Sequence, residues 1–288
     1  HYSDVFARDV GGWNLFVPHT HLGVDLFFML SGFVLYHVYA SQFLTGVTGP
    51  RWGAFMRQRL LRIYPLHLVT LVAVLVLMRF ELPGDGLWIL GLNLTLTHAW
   101  GLTDQFIFNA PSWSISAEFA AYLLFPFMVL ATGTRAGRWG LGALAAVCGV
   151  WLLTRGGGSL DLAETGRRAV LLRVGLAFPI GVLLGWAATV RGPMADAEAT
   201  RWQVGALVGL GVWLGAGLPE MGVIPLFAVL VYATAKDRGA LARVLAWRPL
   251  WGLGVVSYGL YLLQWPVMLL MFNLEPKLAP YLSGLALD

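Results

Sequence analysis

Carboxylates are the residues of this chain best able to do chemistry, because two of them stand where lipid-facing residues are expected. Asp25 sits in His21-Leu-Gly-Val-Asp-Leu-Phe-Phe-Met-Leu-Ser-Gly-Phe33, and Glu118 in Pro111-Ser-Trp-Ser-Ile-Ser-Ala-Glu-Phe-Ala-Ala-Tyr-Leu-Leu-Phe-Pro126. On insertion scales an ionisable residue at bilayer depth costs about 2.5–3.5 kcal/mol, so each needs a partner, a wet cavity or a task. Glu118 falls two turns into a helix that Pro111 and a Ser-rich segment begin. Ser114 and Tyr122 are its i−4 and i+4 neighbours on one face. A buried pair with Arg173 is the structural alternative. Asp25 could simply be a helix-start carboxylate favoured by the dipole. Ser31-Gly32, further along the same helix, would let another backbone approach closely.

Cations form the second group. Arg57, Arg59 and Arg62 precede Ile63-Tyr64-Pro65, and Arg59 and Arg62 are i, i+3 on a helix. They read either as a topology signal with snorkelling side chains or as a clamp for phosphate, whose oxygens match guanidinium forks. Arg173 lies a few residues into its own apolar segment and may be read as snorkelling or as a partner. His37 and His67 read as interior or interface histidines, with His98 in the weak segment Gly86–Trp100, since no His/Cys/Asp/Glu spacing supports a metal site. Neither a P-loop, a Rossmann fingerprint nor a G-x-S-x-G elbow is present.

The elements that must position these groups are membrane helices. Of 288 residues, 58% are hydrophobic and only 12% charged, about half the charge of an ordinary soluble domain. That excludes a soluble globule, a disordered chain and a disulfide-rich module. The lone Cys148 has no internal partner for a disulfide. The net charge of +4 bears on orientation rather than on nucleic acid, and no nucleic-acid partner is expected. Apolar segments run over Leu22–Leu44, Ile63–Met78, Gly86–Trp100, Ser112–Thr132, Trp139–Thr154, Ala169–Val190, Trp202–Leu218, Met221–Ala235 and Pro249–Leu274. Several fall short of the ~17–25 residues of a span and need their flanks. Gly86–Trp100 is the weakest, and the distribution of Lys and Arg between loops favours its not crossing. The expectation is an all-α polytopic bundle with about 8–9 spans, in a single membrane-embedded domain over residues 1–288.

Five motifs, in order, resemble those of the acyltransferase-3 family of polytopic membrane O-acyltransferases. Gly23-Val-Asp-Leu-Phe-Phe-Met-Leu-Ser-Gly-Phe33 looks like its second-helix signature, and Arg59-Leu-Leu-Arg-Ile-Tyr-Pro65 like its basic loop. Trp113-Ser-Ile-Ser-Ala-Glu118 with Tyr122-Leu-Leu-Phe-Pro126 looks like its central carboxylate motif. Arg173-Val-Gly-Leu-Ala-Phe-Pro-Ile-Gly181 and Ser257-Tyr-Gly-Leu-Tyr-Leu-Leu-Gln-Trp-Pro266 are similar to its later helices. The resemblance implies a further first helix that ends at a catalytic His, and His1 stands where that His would fall. It implies a His ahead of the last Trp-Pro; this chain has Gln264.

What the resemblance implies is transfer of an acyl group, acetyl being the expected one and not an amino-acyl group. The donor is acyl-CoA as co-substrate, with no bound cofactor. The acceptor is a hydroxyl of a sugar, glycan, lipid-linked compound or small metabolite. An alcohol is a poor nucleophile at neutral pH, so a base must take its proton as it attacks the thioester. The expected assignment makes His1 the base, with Asp25 or Glu118 orienting its imidazole. Arg59 and Arg62 take the phosphates of CoA, and Arg173 pairs with Glu118 or assists the donor. The expected setting is the bilayer of a bacterial inner membrane. The rival readings are a transporter or flippase, in which the same charges line a path, and a non-catalytic scaffold.

Overall fold

In the computed structural model, residues 17–166, 169–192 and 194–285 are described, and no strand occurs among them. A 3-10 helix, Val17–Leu22, leads directly into α1, Gly23–Phe43. The helices that follow are α2 (Gly49–Leu77), α3 (Gly86–Leu94), α4 (Trp113–Thr132) and α5 (Arg135–Arg155). Then come α6 (Val170–Arg191), α7 (Asp196–Gly215), α8 (Val223–Thr234), α9 (Gly239–Leu245) and α10 (Arg248–Leu285). Their starts obey ordinary capping chemistry: Pro50 opens α2, where its missing N–H costs nothing, and the Thr134 hydroxyl accepts the Gly137 N–H at 3.0 Å to cap α5.

Among the described residues, six helices are long and apolar enough to cross a membrane. They are His19–Phe43, Gly49–Leu77, Ala110–Thr132, Arg135–Arg155, Val170–Arg191 and Arg248–Leu274. The chain is therefore an integral-membrane helical bundle, with fewer such helices than the 8–9 spans expected from apolar segments. The difference has local causes. The segment Gly86–Trp100 is helical only over the nine residues of α3, about 13 Å at 1.5 Å per residue, against a hydrocarbon core of about 30 Å. Beyond it the chain turns through Leu96, whose φ is +58°. The α8 helix has twelve residues. The α7 helix begins in a charged turn with Asp196, Glu198 and Arg201.

The most extensive helix contact joins α1 and α6. They run side by side in the same direction, with Asp25 beside Arg173 and Gly32 beside Phe178. Small residues permit it: a Cβ on Gly32 would stand 2.3 Å from the Phe178 carbonyl oxygen, and one on Gly181 would stand 2.0 Å from that of Met29. The close approach anticipated at Ser31-Gly32 is thus made by the backbone of α6. Gly181→Ala is expected to lower the melting temperature of the detergent-solubilised protein by several degrees, since overpacking a fitted interior costs about 1–3 kcal/mol. Gly142→Ala, with nothing within 4 Å of its added carbon, is the matched control and should not lower it.

Candidate functional site

Glu118 is the carboxylate around which the site is built. It is 3% exposed, on α4. Its Oε1 accepts a hydrogen bond from the Ser31 hydroxyl of α1 at 2.7 Å. Arg173 does not reach it. That guanidinium, itself fully buried, grips Asp25 instead: Nε donates to Oδ1 at 3.0 Å, Nη2 donates to Oδ2, and Nη2 also donates to the His21 carbonyl at 3.2 Å. The Trp113 ring lies 5.0 Å from the guanidinium carbon. A buried charge pair of this kind is stable only when both partners are present and hydrogen-bonded. Asp25 and Glu118 therefore occupy separate positions, one in a closed ion pair and the other on a cavity wall.

Two cavities meet at Glu118. The first, about 190 Å³, is bounded by Phe27, Leu30, Ser31, Val34 and Leu35 of α1, Arg59, Arg62 and Ile63 of α2, Glu118 and Tyr122 of α4, and Tyr258 of α10. The second, about 260 Å³, is bounded by Thr20, Gly23, Val24, Phe27, Ser114, Ile115, Glu118, Ser257, Tyr258 and Tyr261. Along the 3-10 helix and α1 the first takes residues 27–35 and the second residues 20–27, so they lie end to end. On α4 the i−4, i, i+4 series fixes the same axis. Ser114 faces the second cavity, Tyr122 the first, and Glu118 both. The first cavity lies toward the α1–α2 loop, after which the first turn of α2 carries Arg51.

Arg59 and Arg62 give the first cavity two fixed positive charges among mostly apolar walls. Arg59 is positioned by Tyr39, whose hydroxyl accepts from Nη2 at 2.8 Å and whose ring lies 5.1 Å from the guanidinium carbon. Tyr39 in turn donates to the Gln58 side-chain oxygen at 2.9 Å. The Nε of Arg59 is buried and has no hydrogen-bond partner among the described residues. A guanidinium held on one side and unsatisfied on another, with a second guanidinium one turn on, is suited to an anion with several oxygens. Arg173 lines neither cavity. His1 lies outside the described residues.

The part that some residues play in the site was not legible from their motifs. The contacts of Ser31 and Tyr258 come from packing; the Tyr258 hydroxyl donates to the Ile63 carbonyl at 2.8 Å, tying α10 to α2. His67 bonds the Asn93 carbonyl oxygen at 3.0 Å and stacks on His98, with ring centroids 5.9 Å apart, while His37 lies exposed on α1. Glu220 was equally invisible. Its carboxylate takes His19 Nδ1 at 3.0 Å, His21 Nε2 at 2.9 Å and the Leu160 N–H at 2.8 Å. It thereby staples the entry to α1, beside the second cavity, to two loops.

Burial works against ionisation of Glu220, but hydrogen bonds from His21, Leu160 and His19 prevail and hold its carboxyl at about 2, below its usual 4.5. A depressed carboxyl contributes stability above its unfolded pKa and loses it as pH falls through the folded one. Glu220→Gln is therefore expected to destabilise the fold at pH 7 by on the order of 3 kcal/mol, and so to lower its melting temperature. The gap to wild type should close as pH falls from about 4.5 toward 2. Thermal scans in detergent across that range check it.

Comparison with known proteins gives the site a context. A family model described as an acyltransferase domain, that of the acyltransferase-3 family, matches residues 1–287. The chain is 42% identical over 113 residues to "Acyltransferase MdmB" of Streptomyces mycarofaciens, covering 36% of this chain and 27% of that protein. It is 39% identical over 71 residues to "Protein 2 in picA locus" of Rhizobium radiobacter, covering 25% of this chain and 32% of that protein. The matches thus span about a third or less of the length of these curated relatives. No solved structure matches the chain.

Proposed function

The chain belongs to the acyltransferase-3 family, and we propose that it moves an acyl group, acetyl being the expected one, from acyl-CoA to the hydroxyl of a sugar, glycan, lipid-linked compound or small metabolite. The observation that carries this reading is Glu118, which faces a cavity holding two guanidinium groups on one side and a cavity rimmed by hydroxyls on the other. The donor occupies the first, with its phosphates toward the guanidinium groups of Arg59 and Arg62 that line it. The acceptor occupies the second, where Thr20, Ser114, Ser257 and Tyr261 offer polar contacts to a hydroxyl-rich molecule.

The chemistry then needs the two to meet at the shared wall. The acceptor oxygen attacks the thioester carbonyl carbon as a base removes its proton. The new C–O bond forms, the C–S bond breaks, and the sulfur leaves as thiol once it has received the proton. His1 is the base in this reading, and Glu118 orients and compensates the imidazolium that forms. The tether from Ser31 keeps the carboxylate in place without neutralising it. Asp25 and Arg173 act indirectly: their ion pair fixes the start of α1 against α6, and with it the floor of the second cavity. We place the protein in a bacterial inner membrane, consistent with the bacterial sources of its relatives.

The test is delivery of acyl-CoA labelled in the acyl group to membranes carrying the protein. Label recovered in a hydroxylamine-sensitive ester supports the enzyme. Movement of a substrate across the membrane with no dependence on acyl-CoA and no label transfer would instead make it a transporter.

A further inference from the structure

Among the described residues only Phe27, Glu118 and Tyr258 line both cavities, so these three side chains make the wall between them. Two are tethered. Glu118 accepts from Ser31 at 2.7 Å, and Tyr258 donates to the Ile63 carbonyl at 2.8 Å. Phe27 has no such tether. It is the one hydrocarbon side chain of the three, it is 41% exposed, and its ring neighbour is Phe28, with centroids 6.0 Å apart. Its polar companions can meet a carbonyl or a hydroxyl, whereas Phe27 can only meet carbon.

We infer that Phe27 is a specificity-determining residue that sets the longest acyl chain the protein transfers. The inference rests on the donor-and-acceptor reading of the two cavities. For the thioester carbonyl to reach the wall beside Glu118, the carbons beyond it must lie against whatever closes the gap, and the benzyl group of Phe27 occupies that gap. A short acyl group fits beside the ring. Each added methylene competes with the ring for the same space, and a hydrophobic pocket discriminates by about 10-fold or more per methylene. The neighbouring apolar side chains Leu30 and Val34 line the first cavity alone. They therefore contact the donor without closing the passage.

The experiment measures kcat/KM with acetyl-, butyryl- and hexanoyl-CoA for the full-length protein and for Phe27→Ala, Phe27→Leu and Phe27→Trp. The butyryl-to-acetyl ratio should rise about 10-fold or more in Phe27→Ala, rise less in Phe27→Leu and fall in Phe27→Trp. If Phe27→Ala does not fold, the opposite movements of the Leu and Trp variants carry the same information. A chain-length profile in the variants that superimposes on the wild-type profile, with wild type active, overturns the inference and leaves the proposed function standing. Wild-type protein that transfers no acyl group from any of the three donors overturns the proposed function, and the inference with it.

Discussion

Glu118→Gln should lower kcat by about 10²–10⁴-fold, the scale of losing a carboxylate that orients a catalytic histidine, while the KM for acyl-CoA changes little. The substitution keeps shape and a hydrogen-bond acceptor for Ser31, so packing around α4 is preserved. What it removes is the negative charge beside the wall where donor and acceptor meet. A group that matters only as the reaction proceeds shows up in kcat rather than in KM. Steady-state kinetics over a range of acyl-CoA concentrations check this. Near-wild-type kcat would return Glu118 to the role of a buried polar residue satisfied by Ser31.

Changing Arg59 and Arg62 together to Gln is expected to act on the other parameter. Both guanidinium groups line the first cavity, and Arg59 presents a buried Nε without a partner among the described residues. Hydrogen bonds to charged groups contribute about 1.5–3 kcal/mol each. Losing two such contacts should raise the KM for acyl-CoA and reduce kcat/KM by roughly 10²-fold or more. The loss should weaken when the donor is a short acyl-pantetheine thioester, which lacks the nucleotide phosphates. An unchanged donor KM in correctly inserted protein would make these residues topology determinants with snorkelling side chains. Arg59 also holds Tyr39, so a folding control by gel filtration belongs with the kinetics.

Much of this was legible in the sequence because membrane burial makes polar residues conspicuous. Glu118, Asp25, Arg59, Arg62 and Arg173 stood out against apolar surroundings. The i−4 and i+4 neighbours of Glu118 do share its face, Ser114 on one side and Tyr122 on the other. The small residue at Gly32 did announce a close backbone neighbour. Pairing was not legible. Nothing local says that Arg173 chooses Asp25 over Glu118; that follows from the parallel run of α1 and α6, which brings position 173 level with position 25. The roles of Phe27 and Tyr258 were hidden for a related reason. An aromatic residue in an apolar helix has the same appearance whether it faces lipid, a core or a passage. Apolar composition alone did not fix the number of spans, because it continues past the end of a helix, as after Leu94, where α3 stops and the chain turns at Leu96. The cluster on Glu220 joins residues about 200 positions apart and left no trace in either local sequence.

The claim that donor and acceptor approach Glu118 from opposite ends of one axis is open to a direct measurement. Acyl-CoA does not cross a sealed bilayer, so vesicles of defined and opposite orientation can present it to one face at a time. Transfer of labelled acyl groups to a hydroxyl is predicted only when acyl-CoA is on the face that carries the α1–α2 loop, and it should be lost in Glu118→Gln in the same vesicles. Equal transfer with acyl-CoA on either face, or transfer only from the face on which α1 begins, would contradict it.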